Sequence, residues 1–322
     1  MISSCRDKVY EAEPIIGHWE YSDLSMLSGV VRENGLSFEI EDSLYVCLGK
    51  DSFGKGDNSL WRYTKNGRYV GWEKRAEFPG KPRIGAVAFT IGRWAYVGLG
   101  KSIDNPKEYY KDFWVFDAET DSWSPLEFEF PGNAVVNAVF FSLDGKGYLG
   151  TGEKADGSCS DEFYVFDPQL GWGGMSNMVL PRTGATVFKL NGVYYLCFGY
   201  NTRRDGRAYE DLRDVYRFDA KEFKFKPVKS LLPDKYPGIT RSYASSFVLE
   251  HKGQEYAYFV GGKLGRDVAE PYWFCCRYDY VKDIWEKVAT MPRNNVSVTT
   301  WVDDNTAFVF WNDAVLKFVP DN

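Results

Sequence analysis

Apolar and polar residues along this chain fall into short runs bounded by glycine, and the runs recur in the same order about every fifty residues. An apolar strand comes first and closes on glycine: Leu44-Tyr45-Val46-Cys47-Leu48-Gly49, Ala95-Tyr96-Val97-Gly98-Leu99-Gly100, Gly147-Tyr148-Leu149-Gly150-Thr151-Gly152, Tyr194-Tyr195-Leu196-Cys197-Phe198-Gly199 and Tyr256-Ala257-Tyr258-Phe259-Val260-Gly261-Gly262. A loop follows, then an aromatic strand: Trp61-Arg62-Tyr63, Trp114-Val115-Phe116-Asp117, Tyr164-Val165-Phe166-Asp167, Tyr216-Arg217-Phe218-Asp219 and Cys276-Arg277-Tyr278-Asp279. Next comes Trp72, Trp123, Trp172 or Trp285, with Phe223 or Phe225 standing in for the fourth. The closing glycines step by 51, 52, 47 and 63 residues. Short strands at this spacing, with no helical periodicity longer than about two turns, predict an all-β chain.

A period near fifty made of short strands predicts the four-stranded antiparallel blades of a β-propeller. The chain ends supply a sixth blade: Val296 to Val302, Ala307 to Trp311 and Ala314 to Val319 repeat three strands with no Trp after them, while Trp19, in Gly17-His18-Trp19-Glu20-Tyr21, precedes the first full repeat. An N-terminal strand carrying Trp19 is therefore expected to complete the C-terminal blade, which removes the open edges of an unclosed array. Residues 17–322 form one six-bladed propeller on this reading, and residues 1–16 an N-terminal arm. The chain of 322 residues exceeds the usual single-core limit of about 250–300, but a propeller grows by adding blades with small cores. The long fourth interval holds Asn201 to Asp211 and Leu231 to Ile239, extended loops expected over one face.

These repeats resemble the kelch-repeat family over almost the whole chain. The resemblance implies a six-bladed kelch-type propeller of the galactose-oxidase-like or N-acetylneuraminate-epimerase-like kind, in which function resides at the central channel.

A net charge of −6 and the lack of any long basic run argue against phosphate-driven nucleic-acid binding. The longest apolar run, Ala134 to Phe141, is interrupted by Asn137 and far short of a transmembrane span of about 20 residues. Ile2-Ser3-Ser4-Cys5 looks like a bacterial lipobox. Two readings stand: a lipoprotein anchored through Cys5, periplasmic or at the outer membrane, with Arg6 to Pro14 as tether; or a chance match in a cytoplasmic protein. The six cysteines show no C-x-x-C and no paired histidines, so neither a metal nor another cofactor is expected. Cys47 and Cys197 fall at one place in equivalent strands, where a small buried hydrophobe is expected, and no structural disulfide is predicted. Cys159, in a loop, is a candidate reactive thiol.

Arginine recurs before the inner strands: Arg32, Arg83, Arg182 and Arg293 at seventeen or eighteen residues before the repeat glycine position, and Arg241 in the fifth blade. The third blade offers Asn133 and Asn137 instead. Either these arginines brace blade corners, as in Pro82-Arg83-Ile84-Gly85 and Pro181-Arg182-Thr183-Gly184, or they ring the channel mouth and bind an anion. Kelch adaptors grip acidic peptides with arginines at such positions, and the resemblance implies an acidic sugar or acidic protein segment as partner. The residues after the repeat glycines, Lys50, Lys101, Glu153, Lys154, Tyr200, Arg203 and Lys263, are expected to complete the wall with Tyr243, and Tyr200 and Tyr243 are candidates for stacking on a sugar ring.

The copper site of galactose oxidase needs two histidines, and His18 and His251, the only ones here, fall away from the expected channel. The resemblance to a sialic acid mutarotase implies a different enzyme, whose ring-opening step needs an acid, a base and an anion clamp. Glu153 is then the candidate catalytic carboxylate, with Glu33 in reserve. An anion-binding propeller is the first reading and a sugar mutarotase the second.

Overall fold

The computed structural model describes residues 16–24, 30, 32–66, 69–174, 180–202, 209–228, 239–263, 275–292, 298–310 and 314–320. It is an all-β ring of six four-stranded antiparallel blades. The first blade runs Leu36–Ile40, Ser43–Cys47, Leu60–Asn66 and Tyr69–Arg75 from channel to rim, and the next four follow the same order. In the sixth, Thr299–Asp303, Thr306–Phe310 and Val315–Val319 are joined at the rim by His18–Tyr21, with Trp19 opposite Phe318. The inner strand begins at Thr299, three residues later than the expected Val296.

Each hairpin between the first two strands is held by a cross-strand ring pair. Phe38–Tyr45, Phe89–Tyr96, Phe141–Tyr148, Phe188–Tyr195 and Phe247–Tyr258 stack within 12° of parallel, and Trp301–Phe308 is the tilted sixth. The third strand ends on an aspartate because Asp117, Asp167, Asp219 and Asp279 each accept the backbone N–H two residues on, closing the turn to the rim strand. Lys226 and those turn amides hold the Asp219 carboxyl down at about 2.

The apolar cores lie between blades rather than within them. Six clusters, one at each blade junction, alternate with the sheets around the ring. At three of the six junctions the rim Trp fastens the blades with its indole N–H: Trp123 donates to Ala76, Trp172 to Phe128 and Trp19 to Ala289, each a carbonyl just beyond the preceding blade's last strand. In the fourth blade Phe225, 2% exposed, takes this place; Phe223 sits in the turn, 42% exposed. The loop after Gly199 forms a small hairpin, Tyr200–Thr202 against Tyr209–Asp211. The five described cysteines are buried, and Cys159, the candidate reactive thiol, is 7% exposed with its Sγ hydrogen-bonded to the Tyr200 carbonyl; Cys5 lies outside the described residues.

Candidate functional site

Each inner strand is entered through a three-residue corner with one backbone design. The corners are Arg32-Glu33-Asn34, Arg83-Ile84-Gly85, Val135-Val136-Asn137, Arg182-Thr183-Gly184 and Arg241-Ser242-Tyr243, and in every one the third residue is left-handed, with φ between 53° and 64°. The middle residue pairs antiparallel with the residue after the repeat glycine: Glu33 with Lys50, Ile84 with Lys101, Val136 with Glu153, Thr183 with Tyr200 and Ser242 with Lys263. Repeat periodicity thus delivers two concentric rings to one channel mouth, one of corner residues and one of loop residues.

The first corner residue is a brace. The Arg83 fork holds Asp112 at 2.8 and 2.9 Å, its Nη1 also donates to the Leu99 carbonyl, and its face lies on Phe78 and Tyr110. Arg182 repeats this on Asp214, at 2.7 Å to both oxygens, and on the Phe198 carbonyl. Arg32 binds the Leu48 carbonyl and Asp57, and Arg241 the Gly261 carbonyl. The side chains of Arg32, Arg83 and Arg182 are 1%, 1% and 0% exposed, and Arg241 is wholly buried. The four described corner arginines therefore spend their guanidinium groups on bracing, the first of the two readings, with Arg32 also bordering the channel cavity; Arg293 and Arg203 lie outside the described residues. Burial explains the bracing: the repeat glycine of one blade donates its N–H to the corner carbonyl of the next, as Gly49 does to Arg83, Gly152 to Arg182 and Gly199 to Arg241. The arginine is thereby drawn into the junction. In the third blade Val135 holds this place and accepts from Gly100. Asn133 instead pairs with Glu162.

The third corner residue faces the channel. Asn34, Asn137 and Tyr243, with Lys101 and Lys263, line a cavity of about 210 Å³ at the mouth, floored by Gly85. A second cavity of about 250 Å³ continues below it, past Gly184 and Ala138 to Phe140. Asn137 lies across Gly85, where an added Cβ would stand 2.9 Å from its Oδ1, and the Tyr243 ring covers Gly184. A bulky residue at φ 62° is strained, so Tyr243 is held there against its own preference by the Gly184 carbonyl and its ring contacts. The Lys263 ammonium lies 5.5 Å from the centroid of that ring.

Three expected site residues are brought together. The Tyr200 hydroxyl donates to Glu153 Oε2 at 3.2 Å and lies 3.2 Å from the Tyr243 hydroxyl, so Tyr243 is the donor in that second bond. Tyr200 is 1% exposed and cannot stack on a ligand, which corrects that expectation. Burial, then the two neighbouring groups, push its phenol far up, so it remains protonated. Glu153, half-buried, stands behind Tyr200 rather than in the cavity wall. Asn34 was missed from sequence; its signal was an asparagine where two other corners carry glycine. Among the described residues no group of three His, Cys, Asp or Glu is placed to hold a metal, and no described helix is long and apolar enough to cross a membrane.

No protein-family model matches the chain. Among curated proteins it is 34% identical over 117 residues to N-acetylneuraminate epimerase of Yersinia pestis, an alignment covering 35% of this chain and 28% of that enzyme. It is 31% identical over 114 residues to the enzyme of the same name from Yersinia enterocolitica, and 28% over 121 residues to that of Vibrio cholerae. These alignments thus span under a third of the length of each relative. Among solved structures, the structure of YjhT superposes with a TM-score of 0.72 over 92% of this chain and 96% of that one, at 16% identity, a likeness of fold. The chain is a six-bladed propeller homologous over about a third of its length to N-acetylneuraminate epimerases.

Proposed function

We propose that this propeller interconverts the anomers of an acidic sugar of the sialic acid class at the channel mouth. The observation that carries this reading is the chain Tyr243, Tyr200, Glu153, a carboxylate connected by two hydroxyls to a cavity flanked by Lys101 and Lys263. Sialic acid carries a carboxylate beside its anomeric carbon. Lys101 and Lys263 supply positive charge for that carboxylate, and the amides of Asn34 and Asn137 offer donors and acceptors to sugar hydroxyls. Ring opening removes the anomeric hydroxyl proton and protonates the ring oxygen. The Tyr243 oxygen accepts the first proton as its own passes to Tyr200 and the Tyr200 proton passes to Glu153, which becomes neutral, while the Lys101 ammonium gives a proton to the ring oxygen; the reverse transfers on reclosure restore both groups. Rotation about the carbon–carbon bond to the freed keto carbon turns its other face to the freed hydroxyl, and reclosure yields the other anomer.

The homology to N-acetylneuraminate epimerases supports the substrate class. Starting from a single anomer of N-acetylneuraminate, proton NMR should show interconversion faster than in buffer, and Glu153→Gln or Tyr243→Phe should reduce the acceleration by about 100-fold, the scale of general acid–base catalysis. Interconversion at the buffer rate with wild-type protein overturns the catalytic reading. The second reading, a binding module for the same sugars, is favoured by the position of Glu153 behind the cavity wall; saturable binding without acceleration selects it.

A further inference from the structure

At the opposite end of the channel the inner strands line a third cavity of about 300 Å³, open to solvent and bounded on one side by Phe140. Alternation along the strands fixes what faces it. Phe38 and Phe188 turn outward into their ring pairs, so Glu39 of the first blade and Lys189 of the fourth turn inward with Thr90, Ser142 and Thr300. Two of the hydroxyls are engaged with their neighbours: Ser142 Oγ accepts from the Thr90 N–H, and Thr300 donates to the Ser246 carbonyl, while Ser37 and Thr90 also line the cavity. Among the described residues Glu39 is the one carboxylate lining this cavity and Lys189 the one ammonium. The first and fourth blades are three apart in a ring of six and therefore face each other across the channel. Both side chains are exposed at this end of the channel; the Lys189 ammonium lies 5.6 Å from the centroid of the Tyr194 ring and makes no ion pair among the described residues, and partial desolvation pushes the Glu39 carboxyl above the usual carboxylate range. A ligand carrying both charges would complete each.

We propose that this lower cavity is a second ligand site, for a small zwitterion with ammonium and carboxylate separated along its length, of the ω-amino acid class, spanning from Glu39 to Lys189. It shares no polar residue with the channel-mouth site and does not depend on the reading given for that site.

The test uses the full chain and a ruler of zwitterions, glycine, 4-aminobutyrate and 6-aminohexanoate, with butylamine and butyrate as half-charged controls, followed by calorimetry and saturation-transfer NMR. At least one zwitterion should bind ten times more tightly than either control, and Glu39→Gln and Lys189→Met should each abolish that advantage while Tyr243→Phe preserves it. Melting curves of both variants establish that they are folded; if either is not, Glu39→Asp and Lys189→Arg, which alter the charge separation, should change which length binds best. Absence of binding by all three zwitterions, equal binding of a control, or binding indifferent to these substitutions overturns the proposal.

Discussion

Arg83 shows how a residue type can be placed correctly from sequence and its task still depend on depth. Its recurrence before the inner strand is visible in the periodicity, but whether it faces water is decided by how closely two blades approach, which no single repeat encodes. In the folded ring its fork is spent on Asp112 and the Leu99 carbonyl. Arg83→Ala is expected to lower stability by about 1–3 kcal/mol, the cost of leaving a buried polar group unpaired, without selective loss of sugar binding at the channel mouth. The pair also carries a pH signature. Partial burial alone pushes the Asp112 carboxyl up, but the Arg83 fork and the Trp114 indole outweigh it and hold the group below its ordinary 3.8. Its contribution is present above pH 3.8 and lost as pH falls through the depressed value. Acid unfolding of Arg83→Ala should therefore show a shallower loss below about pH 4 than wild type. An unchanged melting temperature, or an unchanged acid slope, would count against the brace. Tyr200 and Glu153 were readable because they follow the repeat glycine directly, whereas their contact needed the blade-to-blade stagger that only the ring supplies.

At the scale of the element, the corner where the second strand ends is the most regular feature of the chain and the most strained. Two successive left-handed residues occur there in five blades: Leu48-Gly49, Leu99-Gly100, Thr151-Gly152, Phe198-Gly199 and Gly261-Gly262. The second must be glycine, since a Cβ on Gly199 would stand 2.6 Å from the Thr183 carbonyl oxygen. At the first position four blades trade backbone comfort for core contacts, Leu99 and Phe198 being wholly buried. A left-handed side chain costs about 1–2 kcal/mol, less than the roughly 2–5 kcal/mol lost when a buried Leu is removed. Thr151 is different: it is small, at φ 65°, and its buried hydroxyl has no hydrogen-bond partner among the described residues. Thr151→Gly is thus expected to raise stability by about 1 kcal/mol and Leu99→Gly to lower it by about 2–4 kcal/mol, both read by thermal and denaturant unfolding. A destabilised Thr151→Gly would mean that its methyl packing matters more than its strain. That four of these strands close on a single glycine and the fifth on Gly261-Gly262 was plain in the sequence. Why the first glycine could be dispensed with was not, because the answer lies in the facing blade.

For the molecule as a whole, the question is what keeps six similar sheets in a closed ring. The junction between the last blade and the first is an apolar cluster like the other five, with Trp301, Phe308 and Phe310 against Tyr63 and Trp72. Closure also depends on the N-terminal strand, whose pairing with Val315–Val319 supplies the backbone bonds on the outer edge of that strand. Trp19 adds two contacts, on Phe318 at 4.9 Å and Phe247 at 6.4 Å, and its indole bonds the Ala289 carbonyl, so this one residue ties the sixth blade to the fifth. The sequence disclosed this scheme because a blade without its Trp and a Trp without its blade sit at opposite ends of one chain. A truncation starting at Ile16 keeps the strand and should melt and elute as the full chain does. One starting at Asp23 exposes the Val315–Val319 edge and should aggregate. Trp19→Ala, which retains the strand but not the wedge, should fall between them, losing about 3 kcal/mol, the low end for removing a core aromatic. Equal solubility and melting of the two truncations would show that the apolar junction alone closes the ring, and the strand would then be a cover for the rim rather than its fastening.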